Sequence, residues 1–425
     1  MYGVNSRHLE RTHGDYEHLS SKSEILAYYE AVLDDLLATG RVAYFPLSEA
    51  DIGGPQPHQF KSLVTGVISL VSDKAKIVDA TYTQGTIPSL HGAHLRYSVE
   101  EGVDLVPINE LPGRAASGNW ACYCIVGGGK TSMDAVIWLL NNGVAAEHIK
   151  WITPNDSWIF VREATKPPFF LDSALATQAT LDFADALFPL LDNMTHDSFV
   201  SALETAGIFA RIDPSVEPTK FKAAAVSWSE LEQLRRIRDA DGIVRLGRVQ
   251  ELTTTVDGTR VAFKKGTLEL PKYTLFVDCS ADGNKQLPAV PVFGGTKITL
   301  QAIDFLLSGS AAAIAHLEAR VGPDAEKFRL AAVVNSRPAS GANARRDIAR
   351  WFYQDIVSKQ MWRQDREFSG WLTSSRTIVD AHGIGRLKGI WEMLKRPKTA
   401  VRLITMNEKF VAALKRVCVQ EGGGC

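Results

Sequence analysis

Apolar residues along this chain recur with two different periods, and the switches between them mark out the elements. From Ser20 the spacing is helical. Ile25, Leu26, Tyr29, Val32, Leu33, Leu36 and Leu37 share one stripe, the serines ahead of Glu24 supply a capping signal, and Gly40 supplies the stop. The stripe predicts an amphipathic helix packed against another part of the fold. Short strands are predicted at 41–45, 59–71 and 75–80, followed by a proline- and glycine-punctuated crossing over 85–118. The strongest signal comes next. Cys122-Tyr123-Cys124-Ile125-Val126 is an unbroken apolar run that enters Gly127-Gly128-Gly129, and Val136, Leu139 and Leu140 then return at helical spacing. A run apolar on both faces reads as a strand buried in a parallel sheet, and its sequel as the helix it feeds. Asn141-Asn142-Gly143 stops that helix, and a second strand is predicted over 148–153, ending at Pro154-Asn155-Asp156.

Past Asp156 the pattern predicts helix over 175–209. A further helix is capped by Ser227 or Ser229, carried by Leu231, Leu234 and Ile237, and stopped ahead of Gly242. Antiparallel strands are predicted over 243–252, 253–256 and 260–263, with Asp257-Gly258 as a hairpin turn. A second strand-to-glycine junction occupies 274–283. From 300 to 417 the chain reads as mostly helical, with Trp351, Phe352, Trp362 and Trp371 as core aromatics or as the lining of a substrate cleft. The glycines at 422–424 predict no element, and no internal repeat or low-complexity segment appears.

The strand, glycine turn and helix around Gly127 form the first half of a βαβ nucleotide site. Gly127 permits the tight turn, Gly128 continues it, and Gly129 lets bare backbone approach a diphosphate. Ser132 stands where such turns carry a third glycine and is small enough for helix-on-strand packing. With Lys130 and Thr131 it opens the helix, whose unpaired N–H groups and positive dipole end face an anion. The Gly-Lys-Thr triplet also suggests a P-loop, but that motif needs a glycine where Cys124 stands. A glycine turn without a ligand is the third reading, and the second strand favours the dinucleotide. Asp156, at the end of that strand, is placed to accept the ribose 2′-hydroxyl of NAD and to repel a 2′-phosphate, or else caps the turn before Ser157. Lys130 and Arg162 are the basic residues that would meet a 2′-phosphate, or are simply solvated.

At 425 residues the chain is long enough for two cores. Its net charge of −1, with both signs interspersed, excludes a basic nucleic-acid-binding field. No apolar run reaches membrane-spanning length, and the polar start carries neither signal peptide nor transit helix, so a cytoplasmic protein with no membrane partner is expected. Five cysteines without a C-x-x-C pair agree with reduced thiols. His91 and His94 are spaced like two metal ligands but lack a third nearby, so no metal site is assigned. A serine-hydrolase G-x-S-x-G elbow is absent.

Four segments in order, Tyr2-Gly3-Val4-Asn5-Ser6, Asp79-Ala80-Thr81-Tyr82, Gly127 to Asp134 and Cys279-Ser280-Ala281-Asp282-Gly283, give the chain a likeness along nearly its whole length. It resembles the flavin-containing monooxygenases and their relatives among the two-dinucleotide FAD/NAD(P) oxidoreductases. The resemblance implies an α/β, Rossmann-type, two-dinucleotide-binding flavoprotein fold with a helical C-terminal region. In it, 1–118 would be a remnant of the FAD-type domain, 119–278 the NAD(P)-binding domain, and 279–425 the return to the FAD-type domain plus the helical region. Asn5 would lie beside flavin and nicotinamide, and Ala281, Asp282 and Gly283 at a strand end where the chain crosses between domains. NAD(P)H would reduce FAD, and the reduced flavin would capture O₂ and oxygenate a small organic substrate.

Three departures accompany the likeness. The family's first strand, G-x-G-x-x-G turn and helix, which hold the FAD diphosphate, have no counterpart. Gly295-Thr296 stands where relatives carry a Gly-Asp that holds the ribityl chain. Asn155-Asp156 stands where NADPH users place a basic residue. Two functions therefore remain open. One is a flavin-monooxygenase-like oxidoreductase whose FAD site is completed by an upstream segment, a partner chain or an altered binding mode. The other is a redox-inactive homologue of the same fold, serving as a cyclase or isomerase or as a non-catalytic partner subunit. Either leaves room for a homo-oligomer.

Overall fold

The computed structural model describes residues 21–50, 58–82, 95–164, 178–281, 290–303, 307–320, 324–331, 343–374 and 393–419, together with 52, 287 and 391. Asn5, His91, His94, Asp282 and Gly283 lie outside them. The chain divides into two compact units: residues 1–83, 287–336 and 358–378 form one, and 84–286, 337–357 and 379–425 the other.

The first unit opens with helix α1 (Lys22–Ala38), and the capping signal is realised. Glu24 N–H donates to the Ser21 hydroxyl, and Ser21 N–H donates back to the Glu24 carboxylate at 2.6 Å. Of the apolar stripe only Val32 is buried, alongside Tyr28 next to the stripe, whereas Leu26, Tyr29, Leu36 and Leu37 are exposed, so the predicted packing face is largely open. Strands β1 (Ser48–Ala50), β2 (Gln59–Ser62) and β3 (Ile68–Leu70) make an antiparallel sheet in that order. The strand expected over 59–71 is thus two strands. Gly66, at φ +73°, donates its N–H to Ser62 O and turns the chain back. No strand forms at 41–45; Pro46 has no N–H to donate, and pairing starts two residues beyond it. β4 (Ile77–Asp79) completes this first stretch.

The second unit is built on a parallel sheet. Its elements are β5 (Ser98–Val99), β6 (Leu105–Pro107), α2 (Leu111–Ser117), β7 (Cys122–Val126), α3 (Lys130–Asn141), β8 (Ile149–Ile152), β9 (Ser157–Val161), α4 (Gln178–Leu187), α5 (His196–Thr205), β10 (Phe209–Ala210), β11 (Lys220–Val226), α6 (Trp228–Asp239), β12 (Ile243–Val244), β13 (Val249–Thr255), β14 (Gly258–Phe263), β15 (Gly266–Pro271) and β16 (Thr274–Asp278). The main sheet has the order β12-β8-β7-β16-β6, every neighbouring pair parallel. Starting at β7 the chain winds outward through β8 to β12, then returns to the other side of β7 with β16. That is the doubly wound, Rossmann-type arrangement, with its reversal point between β7 and β16.

Both faces of this sheet are covered, which is why β7 reads as a continuous apolar run. Cys122, Cys124, Val126, Ile152 and Phe276 pack on Val249, Leu252, Val261, Phe263 and Leu270 of the four-stranded sheet β15-β14-β13-β5. Helices α3 and α6 pack on β7 and β8. The single strand expected over 243–252 is divided between the two sheets, with Gly247 at φ +99° in the break. Residues 157–161, expected to follow a turn, form the fully buried centre of a third sheet, β10-β9-β11. The helix expected over 175–209 is two α-helices joined by a 3₁₀ turn that begins at Phe188-Pro189.

Back in the first unit, β17 (Phe293–Gly294) and β18 (Lys297–Thr299) form a hairpin, with β18 parallel to β4. Gly295 takes φ +61° and Thr296 O accepts from Ile77 N–H, so Gly295-Thr296 is the hairpin turn. Helices α7 (Leu307–Ala319), α8 (Asp324–Leu330), α9 (Ala344–Gln364), α10 (Arg366–Ser374) and α11 (Pro397–Val419) follow; α7, α8 and α10 are of this unit, α9 has residues in both, and α11 is of the second. Trp351 and Phe352 of α9 are buried against Phe160 in the second unit. Trp362 is buried in the first, its indole N–H donating to Leu330 O at 2.8 Å. Among the described residues no helix is long and apolar enough to cross a membrane.

Candidate functional site

The glycine turn leaves the sheet at its reversal point, where ligands of doubly wound folds bind. Gly127 has φ +135°, and a Cβ placed on it would lie 2.5 Å from Cys279 O at the end of β16. Backbone on backbone cannot give way, so glycine is required here. Hydrogen bonds to both neighbouring strands hold this junction. Gly127 N–H donates to Ile152 O at 3.0 Å, Cys279 N–H to Val126 O at 2.8 Å, and the buried Trp151 indole N–H reaches Gly127 O at 2.8 Å. At Gly128 a Cβ would meet Thr153 Cγ2 at 3.0 Å and Asn155 O at 3.2 Å. Gly129 is different: its nearest neighbour within reach is Lys222 Nζ, at 3.9 Å from the Cβ position. Packing therefore uses up the space at the first two glycines and leaves it open at the third.

Gly129 is also the N-cap of α3, in extended conformation and without a side-chain cap. The first intrahelical bond runs from Met133 N–H to Gly129 O, so the amides of the first turn face outward with the positive dipole end behind them. Ser132 is fully buried and donates its hydroxyl to Gly129 O at 2.6 Å, which ties the turn to the helix. Lys130 is engaged along the helix by Asp134. Thr131 follows it in the first turn.

Lys222 arrives from β11, which bulges between Phe221 and Ala225 with Ala223 at φ +53°. Such a bulge re-aims side chains, and here it brings a cation to the open glycine. The rim beyond the second and third strands carries Asp156, gripped by Arg245 through Nε at 2.9 Å and Nη2 at 3.1 Å. Arg245 Nη2 also lies 3.1 Å from Asp213. The hydrogen bond to Asp156 pushes Arg245 above its ordinary value, and the Ser215 hydroxyl holds Asp213 below the usual carboxylate range despite its burial. The Asp156 carboxylate is fixed by a guanidinium 89 residues away. Arg162 lies elsewhere, at the end of β9, and pairs with Glu230 at 2.7 Å.

On the other side of the turn, buried Asp278 accepts from the Tyr97 hydroxyl at 3.0 Å and from Ser280, one residue before Ala281. Burial, then the Asp278 charge, pushes Tyr97 far above its normal range; burial does the same to Cys279 and Cys124. These thiols stay protonated and are packing residues rather than nucleophiles. Among the described residues no three His, Cys, Asp or Glu side chains gather to hold a metal. The site brings together Gly127, Gly128, Gly129, Lys130, Thr131, Ser132 and, on its rim, Asp156. Trp151, Thr153, Lys222 and Arg245 belong to it too and carry no local signal in the sequence. What such a site can do is bind an anion through bare amides, a helix end and one lysine, beside a fixed carboxylate able to accept from hydroxyls.

No protein-family model matches the chain. Among solved structures it is similar to L-lysine 6-monooxygenase from Pseudomonas syringae, at 12% identity over 62% of this chain and 64% of that one, with a TM-score of 0.27. It is also similar to the cadaverine monooxygenase DfoA of Erwinia amylovora, solved bound to FAD, at 10% identity over 79% of this chain and 76% of that one, with a TM-score of 0.30. Likeness at these scores carries no argument for fold or function. Sequence relatives are nearer. The uncharacterized proteins Rv2000 of Mycobacterium tuberculosis and Mb2023 of Mycobacterium bovis are each 38% identical over 419 residues, covering 96% of this chain and 72% of theirs. This chain belongs to the family of those mycobacterial proteins.

Proposed function

We propose that this protein binds a nicotinamide adenine dinucleotide at the Gly127–Ser132 turn and serves an oxidoreductase reaction on a small organic molecule, of the type carried out by flavin-containing monooxygenases. One observation carries the reading. An uncapped helix N-terminus, an unfilled glycine and Lys222 converge where the parallel sheet reverses its winding. A bound nicotinamide supplies hydride. The chain's own residues do the holding: the α3 amides and Lys222 take the diphosphate, and Trp151 and Cys279 keep the turn in shape from either side.

A flavin has a diphosphate of its own. Among the described residues the junction at Gly127 is the sole strand, glycine turn and helix of this kind, and Asp79 in the first unit is already engaged by Thr81 and Lys297. The described residues do not form a flavin cradle, and no step through flavin is derived. A second reading is a dinucleotide-binding homologue without flavin chemistry. Calorimetric titration with NADH and NADPH tests the shared premise, and failure of both to bind at millimolar concentration defeats it. The absorbance spectrum separates the two readings. Oxidised-flavin bands in the purified protein support the monooxygenase type, whereas a colourless protein that binds nicotinamide dinucleotide but does not titrate with FAD supports the second.

A further inference from the structure

The geometry points to a coenzyme with a free 2′-hydroxyl on its adenosine ribose: the Asp156–Arg245–Asp213 cluster makes the site select NAD(H) over NADP(H). This rests on the dinucleotide reading above. Asp156 directly follows Asn155, whose carbonyl abuts Gly128, so its carboxylate stands on the rim where the ribose of a dinucleotide seated on this turn would lie. A carboxylate has two acceptor positions on each oxygen, and Arg245 takes one on each. One remains on either oxygen, which suits the two neighbouring hydroxyls of a ribose. Arg245 also fixes the rotamer, so no ordering is left to be done when a ligand arrives.

A 2′-phosphate reverses each of these gains. It offers no proton at neutral pH and adds negative charge beside Asp156 and Asp213, which Arg245 bridges, while Arg238, near Asp213, is itself paired with Asp239. Asp156 and Asp213 have only 12% of their side chains exposed, so solvent screens that repulsion weakly. Lys222 does not offset it, because it stands at Gly129, the diphosphate end. A separate observation marks the same strand end as a ligand position. Thr153 is 4% exposed, packs against Gly128, and its hydroxyl has no hydrogen-bond partner among the described residues. A buried orphan hydroxyl is costly and is satisfied when a polar ligand group reaches it.

The test is calorimetry on the full chain with NADH and NADPH, at low and at high salt. NADH is expected to bind at least about tenfold more tightly, and the ratio should change little with salt, because the two carboxylates are largely buried. Asp156→Asn and, separately, Asp213→Asn should each cut the ratio several-fold, mainly by tightening NADPH. Equal or tighter binding of NADPH by the unaltered protein overturns the selectivity while leaving the dinucleotide reading intact. Binding of neither sinks both. Because the unaltered protein alone decides the outcome, a variant that fails to fold does not protect the inference.

Discussion

The three glycines of the turn do unequal work, and substitution separates them. Gly127→Ala puts a methyl 2.5 Å from Cys279 O and 2.8 Å from Cys279 C, at a φ of +135° that a side chain rarely adopts. The backbone penalty is about 1–2 kcal/mol, and overpacking against atoms that cannot rotate away adds about 1–3 kcal/mol, so a loss of ~2–5 kcal/mol is expected. Gly129 meets no such wall, since the nearest atom is the far end of the Lys222 side chain. Gly129→Asp should therefore leave unfolding nearly unchanged while placing a carboxylate in the space kept for a phosphate. Two unit charges about 4 Å apart repel by about 1 kcal/mol in water and about 4 kcal/mol at an effective dielectric of 20. The dinucleotide should bind roughly 5-fold to 1000-fold more weakly. Urea denaturation gives the first quantity and calorimetry with NADH and ADP-ribose the second. If Gly127→Ala unfolds at the same urea concentration as the parent, the packing argument fails. If Gly129→Asp folds normally and binds as before, the phosphate does not sit there.

Lys222→Ala should weaken dinucleotide binding several-fold, because its ammonium stands at the open glycine; unchanged calorimetric affinity would remove it from the site. Trp151→Phe keeps the packing but strips the donor from buried Gly127 O, and urea titration should show a loss of about 1–3 kcal/mol. Arg245→Ala leaves Asp156 and Asp213 largely buried and without their guanidinium, which should cost about 1–3 kcal/mol at neutral pH and less once they are protonated. Stability should fall in acid through Asp213. Its carboxyl is lowered on folding, first by Ser215, so its contribution is complete above the unfolded carboxylate value and is lost as pH drops through the folded one. Ser215→Ala should make thermal melts less sensitive to pH as it falls through and below the ordinary carboxylate range, and an identical acid limb would count against this.

Two capping boxes, the apolar run into Gly127 and the stop at Asn142-Gly143 could be read directly, because helix ends, buried strands and glycine turns are set by residues within a few positions of one another. The same local logic failed where continuity was broken by distant partners. Residues 243–252 read as one strand, yet 243–244 go to the parallel sheet and 249–252 to the neighbouring one, and Gly247, in the break between them, lets the chain change over. The open face of α1 was invisible for the converse reason: a periodic stripe says that a helix could bury a side, not that anything covers it. At the site, the sequence by itself determined the strand, glycine turn and helix start from Cys122 to Ser132, and proposed Asp156. Only the tertiary structure decided what surrounds them. Arg245 reaches Asp156 because strand order sets β12 beside β8, Lys222 reaches Gly129 from β11 of a separate sheet, and a contact between residues 89 positions apart leaves no trace in the local pattern of either.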